Sequence, residues 1–399
     1  MILTDFAPNE KFQDSLTALK NFFLPWKWHH GGETAKLKQR IRQKFFSSDT
    51  SIHFYLSGRS ALYYFLKSLS LQPNTEILVQ AFTCAAVVLP IQKLGLKPVY
   101  IDINSDDYSM NIQDFKKKLT TKIKVLILQH TYGITPKSRT EILDLAKENN
   151  IVVIEDIAHG ADFTLFKSNK ERFNLLMSFG RSKFISSVFG GAIVTKYKRL
   201  DANLHEIDKN LKNPRSIFLI KLLLYKFWSF IITKTYSIGL GKLIHGIARF
   251  LGIFTPEVTK LEKKGFFDLL FLKSFPNICA IFLLSQFQTF NDVVKKRTVI
   301  SNYYGKSFNS KIKDLALIRY PFCIKDRSQF IAKAKKKGMM FGQWYDQIVG
   351  PQSFDMSKTN YKKGSCPVAE KIVNEVVNLP TQVSLFQASK IVDLVKNQT

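Results

Sequence analysis

Residues 151–195 read IVVIEDIAHGADFTLFKSNKERFNLLMSFGRSKFISSVFGGAIVT. An apolar, β-branched run ends on two carboxylates, Glu155 and Asp156, with His159 just beyond. Ser178 follows, then Lys183 five residues later, then the pair Gly190–Gly191 before a second run, GAIVT at 191–195. Three similar runs lie upstream: EILV at 76–79, PVYIDI at 98–103 and KVLILQ at 124–129. None alternates polar with apolar residues, and segments of helical period, SALYYFLKSL and SRTEILDLAKENN, lie among them. Such strands, spaced by helix-length connections, predict a mainly parallel sheet covered on both faces. Ligands of these sheets sit beyond the carboxyl ends of the strands, so the residues just after each run are the candidates for chemistry.

The rest of the chain sets limits on the class. With 399 residues, 45% of them hydrophobic and 34 of them Phe, it has ample material for a core, which excludes a disordered or low-complexity chain. Cys84, Cys279, Cys323 and Cys366 lie far apart without a CxxC pair, so neither a disulfide framework nor a cysteine zinc site is expected. The start, MILTDFAPNEKF, carries Asp5 and Glu10 and lacks a basic stretch followed by an apolar one, so no leader is expected and the location is read as cytoplasmic. Lys and Arg number 59 against 31 Asp and Glu, a formal charge of +28 that predicts affinity for something anionic. Nucleic acid is not the expected partner, because no recognition motif accompanies the charge.

Four segments are expected: an aromatic, helical stretch over 1–50, the large α/β domain over 51–204, an insertion over 205–264, and a linking helix with a small C-terminal α/β domain over 265–399. In the first, His29–His30 is read as part of a polar turn, since no further ligand follows at metal spacing. Between Lys209 and Pro256 lie eight basic residues and no acidic one, within strongly apolar sequence. Lys221, Lys226 and Lys234 interrupt the apolar runs, so a membrane span is not expected. Two readings of the segment stay open: peripheral contact with anionic lipid, or a pair of helices packed on the body or on a second subunit.

Three stretches fall where a parallel sheet places its site. SGRSAL at 57–62 is a Gly turn into a helix start, where free backbone N–H groups attract anions and Arg59 and Ser60 strengthen the pull. The strand-end carboxylate Asp156 is costly to bury without a partner. The third stretch holds Ser178 and Lys183. Each alone has an ordinary structural explanation; their combination and order do not. Together with QHTYGITP and GSCPVAEKIVNEVVNLPTQ they resemble the DegT/DnrJ/EryC1/StrS family of sugar aminotransferases, pyridoxal-phosphate enzymes of fold type I.

That resemblance implies a mainly parallel large domain, a smaller C-terminal domain and a homodimer. Lys183 matches the lysine that carries pyridoxal 5'-phosphate and then acts as the base in the proton shift, and Asp156 the carboxylate beside the pyridine nitrogen. His159 stands where the family has Gln or His near the ring hydroxyl. Ser178 and the Arg59–Ser60 amides match the phosphate cradle. Cys84 stands where members place an aromatic over the ring; since Cys cannot stack, either Phe82 takes that role or the ring face is held differently. The implied reaction moves an amino group from glutamate to a nucleotide-linked keto sugar, with a non-catalytic, membrane-associated homologue as the alternative. Trp344 and Tyr345 are candidates for the sugar pocket or for the core. Departures from the pattern are Val188–Phe189 where Gly-Glu is common, Ser274 near the place of a partner-supplied Asn, with Asn277 nearby, and the hydrophobic insertion.

Overall fold

In a computed structural model, which describes residues 2–3, 8–167 and 171–397, seven strands share one sheet. They are β1 (Ser51–Tyr55), β2 (Glu76–Gln80), β3 (Lys97–Ile101), β4 (Ile123–Gln129), β5 (Val152–Asp156), β6 (Asn174–Ser178) and β7 (Gly191–Thr195). The spatial order is β1-β7-β6-β5-β4-β2-β3, parallel except for β7, which runs against both of its neighbours. Alternate side chains enter opposite cores: Ile77, Val79, Val125 and Ile127 pack on one face, Leu78, Leu126 and Leu128 on the other. This two-sided burial explains why the runs read as continuously apolar. The acidic start around Asp5 lies outside the described residues.

Strands β1 and β6 were not among the expected runs because each carries a buried polar residue. His53 in β1 bonds Asp201 at 2.8 Å and Asp208 at 2.7 Å, and Asn174 in β6 donates to the Val153 carbonyl at 2.9 Å. The single linking helix expected in the 265–399 segment is two, Asn277–Phe287 and Phe290–Ser307. Gln288 and Thr289 make tight i→i−3 bonds at the break, while the Gln286 side chain turns inward to accept from the Ser186 amide at 2.7 Å. The C-terminal part is built on an antiparallel pair, Arg319–Cys323 with Val376–Pro380, and the amphipathic helix Leu385–Lys396.

Helices are labelled α1 (Phe12–Phe22), α2 (Glu33–Phe45), α3 (Gly58–Ser68), α4 (Ala85–Lys93), α5 (Lys198–Lys209), α6 (Ser216–Thr235) and α7 (Leu240–Phe250) where the argument needs them. The boundary expected at 204/205 falls inside α5. The three lysines do not interrupt α6, which is one continuous helix of 20 residues, long and apolar enough by length and composition to cross a membrane. It nevertheless lies against the protein. Lys226 is completely buried and donates to both Glu10 carboxylate oxygens at 2.8 Å and to the Ser186 carbonyl at 2.7 Å.

Candidate active site

The carboxyl ends of β5 and β6 and the start of α3 open into one cavity of about 600 Å³. Its lining includes Gly58, Arg59, Cys84, Asp156, His159, Ser178 and Lys183, together with Glu257, Trp344 and Tyr345. A larger groove of about 920 Å³ lies at the other end of the strands, beside Val152 and Asn174, away from this cluster.

Ser57 caps α3. Its Oγ accepts from the Ser60 amide at 3.2 Å, while Ser60 Oγ accepts from the Ser57 amide at 2.9 Å and donates to the Ser57 carbonyl at 2.8 Å. Ser60 is therefore consumed by the cap and lies outside the cavity lining, which corrects its expected place in the phosphate cradle. The amides of Gly58 and Arg59 remain at the helix start, where α-helices attract anions. The Arg59 guanidinium, however, is already engaged: it pairs with buried Glu262, donates to the Glu257 carbonyl and lies 4.4 Å from the centre of the Phe271 ring. Only its backbone is placed for the cradle. Ser178 completes that corner, and a Cβ on Gly58 would stand 3.2 Å from the Ser178 Oγ. A Cβ on Gly191 would approach the Ser57 backbone to 2.5 Å, so the antiparallel strand β7 reaches the turn only as glycine. Next to it, Val188 keeps a positive φ of 72°, a left-handed conformation costly for a β-branched residue.

Asp156 ends β5 with Oδ1 accepting from the Ala158 amide at 2.9 Å. Burial raises its pKa, opposed by that amide and by the charges of Lys183 and His130. Behind it, Glu155 binds His130 at 2.9 Å and Arg139 at 2.7 and 2.8 Å; burial works against this carboxylate, but those partners hold its pKa down to about 2. Lys183 follows the turn after β6. Withdrawal from water lowers the pKa of its ammonium, partly offset by Asp156 and Cys84, so the amine is more readily neutral, the form a nucleophile needs.

His159 Nδ1 accepts from the Tyr132 amide at 3.2 Å, and burial, then the charges of Lys183 and Arg319, push its pKa well below normal. The ring is therefore neutral, with its proton on Nε2, 3.3 Å from the Tyr345 hydroxyl. Trp344 stacks on His159 at 5.1 Å, with Arg319 against its ring at 3.5 Å and Lys183 Nζ at 5.1 Å. Both residues of the Trp344–Tyr345 pair thus line the cavity. Phe82 does not: it is fully buried, with Tyr345 5.3 Å away edge to face. Cys84 does line it, as the cap of α4, its Sγ accepting from the Ala86 amide at 3.4 Å. Asn277 is buried and donates to the Lys27 carbonyl at 3.0 Å, and Ser274 donates to Asn213 at 2.6 Å; both are engaged within this chain. His29 and His30 also reach separate partners, Ser216 and Asn213, at 3.4 and 3.1 Å.

The sequence profile of the DegT/DnrJ/EryC1/StrS aminotransferase family matches residues 13–213 and 272–396. The chain belongs to this family. The GDP-perosamine synthase of Escherichia coli O157:H7 is 25% identical over 260 residues, covering 64% of this chain and 58% of that protein. The UDP-N-acetyl-3-dehydro-alpha-D-glucosamine 3-aminotransferase of Acidithiobacillus ferrooxidans is 30% identical over 163 residues, 40% of this chain and 43% of that one. The chain thus spans less than two thirds of the length of these curated relatives. Among solved structures, the sugar aminotransferase CalS13 from Micromonospora echinospora shares the fold with a TM-score of 0.71 over 100% of both chains at 15% identity. NtdA from Bacillus subtilis, with bound cofactor PMP, does so with a TM-score of 0.71 over 96% of this chain and 81% of that one, at 15% identity.

Members of the DegT/DnrJ/EryC1/StrS family depend on pyridoxal phosphate, and the residues here fit it. Gly58 and Ser178 line the cavity at a helix start, where a phosphate is favoured; a buried carboxylate and a lysine of lowered pKa line the same cavity. The family match skips residues 214–271, which hold both insertion helices and the cavity-wall residues Pro256, Glu257 and Val258. Sequence reasoning missed that wall, and it missed Arg319, one more cation in a chain with 59. The stretch TPEVTKLE at 255–262 held one signal: Thr259 and Glu262 in capping-box spacing, with the Glu262 carboxylate held inward by Arg59.

Proposed function

We propose that this protein is a pyridoxal-phosphate-dependent aminotransferase that moves an amino group from glutamate to a keto sugar linked to a nucleotide, acting as a homodimer. The observation that carries the reading is the convergence of Lys183, Asp156, Ser178 and the α3 amides on one cavity at the strand ends. Family membership and the nucleotide-sugar chemistry named for its relatives support the substrate class.

Each group has a task. The Gly58 and Arg59 amides and Ser178 bind and orient the phosphate without a side-chain cation. Asp156 would hold a positive charge on the ring nitrogen, which keeps the ring electron-withdrawing. When bound, pyridoxal phosphate supplies an electron sink for negative charge at a carbon that loses its proton. Lys183 Nζ takes that proton and returns it one position away; a lowered pKa keeps it able to accept. His159, neutral and fixed from both nitrogens, does not compete with Lys183 for the proton.

Purified protein loaded with pyridoxal phosphate should show the long-wavelength absorbance of covalently held cofactor, and glutamate alone should discharge it. A nucleotide keto sugar should then restore it. Lys183→Ala should abolish the band, and absence of any band in the loaded wild type would refute the proposal.

A further inference from the structure

Helix α1 is built inside out. It buries Asp14, Ser15, Ala18 and Asn21 and turns Phe12, Leu16, Leu19 and Phe22 to solvent, with Phe23 and Trp26 each 68% exposed just beyond. Helix α7 adds Leu240, Leu243, Ile247 and Phe250 on its outer face, Phe250 being 90% exposed. Helix α6 lies between them. Phe12 packs on Phe230 at 5.7 Å and Ser15 donates to the Phe227 carbonyl at 3.0 Å on one flank. On the other, Lys221 Nζ donates to the Gly252 carbonyl at 2.7 Å. The exposed apolar residues of α1 and α7 therefore flank α6, whose own Ile217 is exposed at its start, and an apolar surface of that kind marks an interaction site.

Its charge selects the occupant. Across residues 11–32 and 209–256 the only acidic residue is Asp14, which is buried beside Lys226. Lys20, Lys27, Lys212, Arg215, Lys234, Lys242 and Arg249 are all exposed. A two-fold contact between copies of the chain would set this cationic surface against itself. Hydrocarbon beneath anionic headgroups satisfies the rings and the cations together. We propose that α1, α6 and α7 form a docking face for an anionic lipid bilayer. The helices lie in the interface and do not span it, because Lys226 ties α6 to Glu10 and to the Ser186 carbonyl. The face adjoins the active site. Phe254 packs on Tyr225 at 5.3 Å, the Arg181 guanidinium stacks on the same ring at 4.1 Å and bonds the Thr255 carbonyl, and residues 256–258 form the cavity wall.

The test is flotation of the full, cofactor-loaded protein with vesicles of phosphatidylcholine alone and of equal parts phosphatidylcholine and phosphatidylglycerol. Binding to the mixed vesicles, falling as salt rises, is expected. Leu243→Ser with Phe250→Ser should weaken it about tenfold or more. Lys242→Gln and Arg249→Gln should each weaken it about fivefold. All variants should keep the sedimentation coefficient and bound-cofactor spectrum of the wild type. Failure of the wild type to float at low salt would overturn the proposal. So would a change in lipid-free sedimentation for Leu243→Ser/Phe250→Ser, which would make the face a subunit contact instead.

Discussion

The cavity has two walls anchored by different physics. On the sheet side, Asp156 and Ser178 end hydrogen-bonded strands, and the α3 turn touches β7 backbone to backbone through Gly58 and Gly191. On the other side, residues 255–262 are tied down by side chains: Arg59 to Glu262, Arg59 to the Glu257 carbonyl, and Arg181 to the Thr255 carbonyl. A wall made of ladder and close glycine contacts cannot shift without unpairing the sheet. A wall made of side-chain tethers can be loosened one residue at a time. The groups proposed to react belong to the first wall, and Pro256, Glu257 and Val258 of the second line the same cavity, so rate and substrate binding should respond to different substitutions.

Four measurements press on that contrast, from the largest effect down. Asp156→Asn should cut turnover about a thousandfold or more while leaving the melting temperature close to wild type, since it removes charge and not packing. Lys226→Met should cost about 4 kcal/mol in denaturant unfolding, because it strands the buried Glu10 and Asp14 carboxylates. Lys221→Met, on the half-buried side of the same helix, should change stability by about 0.5 kcal/mol or less. Equal losses for the two would mean that α6 is not held through Lys226.

The third is a pH profile. Glu155 has its folded pKa held at about 2, below the ordinary carboxylate value near 4.5 that the unfolded chain restores. Its contribution is therefore complete above about pH 5 and is lost as pH falls toward 2. That difference corresponds to about 3 kcal/mol. In Glu155→Gln the fall in stability across that range should be shallower by about this amount, read from urea midpoints at successive pH values. The smallest effect belongs to the tethered wall. Glu262→Gln keeps the cap geometry but weakens the hold on Arg59, so KM for the proposed keto-sugar substrate should rise about threefold to tenfold with kcat nearly unchanged. A matching fall in kcat would erase the distinction between the walls.

What could be read from the sequence follows the same division. Strands β2 to β5 and β7 were legible because burial on both faces demands uninterrupted apolar residues, whereas His53 and Asn174 hid β1 and β6 behind polar groups that only the fold satisfies. Lys183, Asp156, His159, Ser178 and Cys84 were found where a parallel sheet places its site. Ser60 was misassigned because a capping serine and a phosphate-binding serine look alike in one dimension. Phe82 was misassigned because sequence distance does not tell which way a residue of positive φ faces. The tethered wall was illegible for a simpler reason: its contacts join residue 59 to 257 and 262, and 181 to 255, and no local pattern encodes such pairings.

Lys226 carries a consequence for inheritance. Its partners Glu10 and Asp14 lie more than two hundred residues away in sequence, before the family match begins or at its edge, while Lys226 lies in the stretch the match skips. Burial pushes the Glu10 carboxyl up to about 7 even against the pull of that lysine, so a descendant that lost the insertion alone would keep an acid with no cation to meet it. The two ends of this bond should be gained and lost together. In any set of relatives, an acidic residue at the position of Glu10 should mark the chains that carry the helical hairpin.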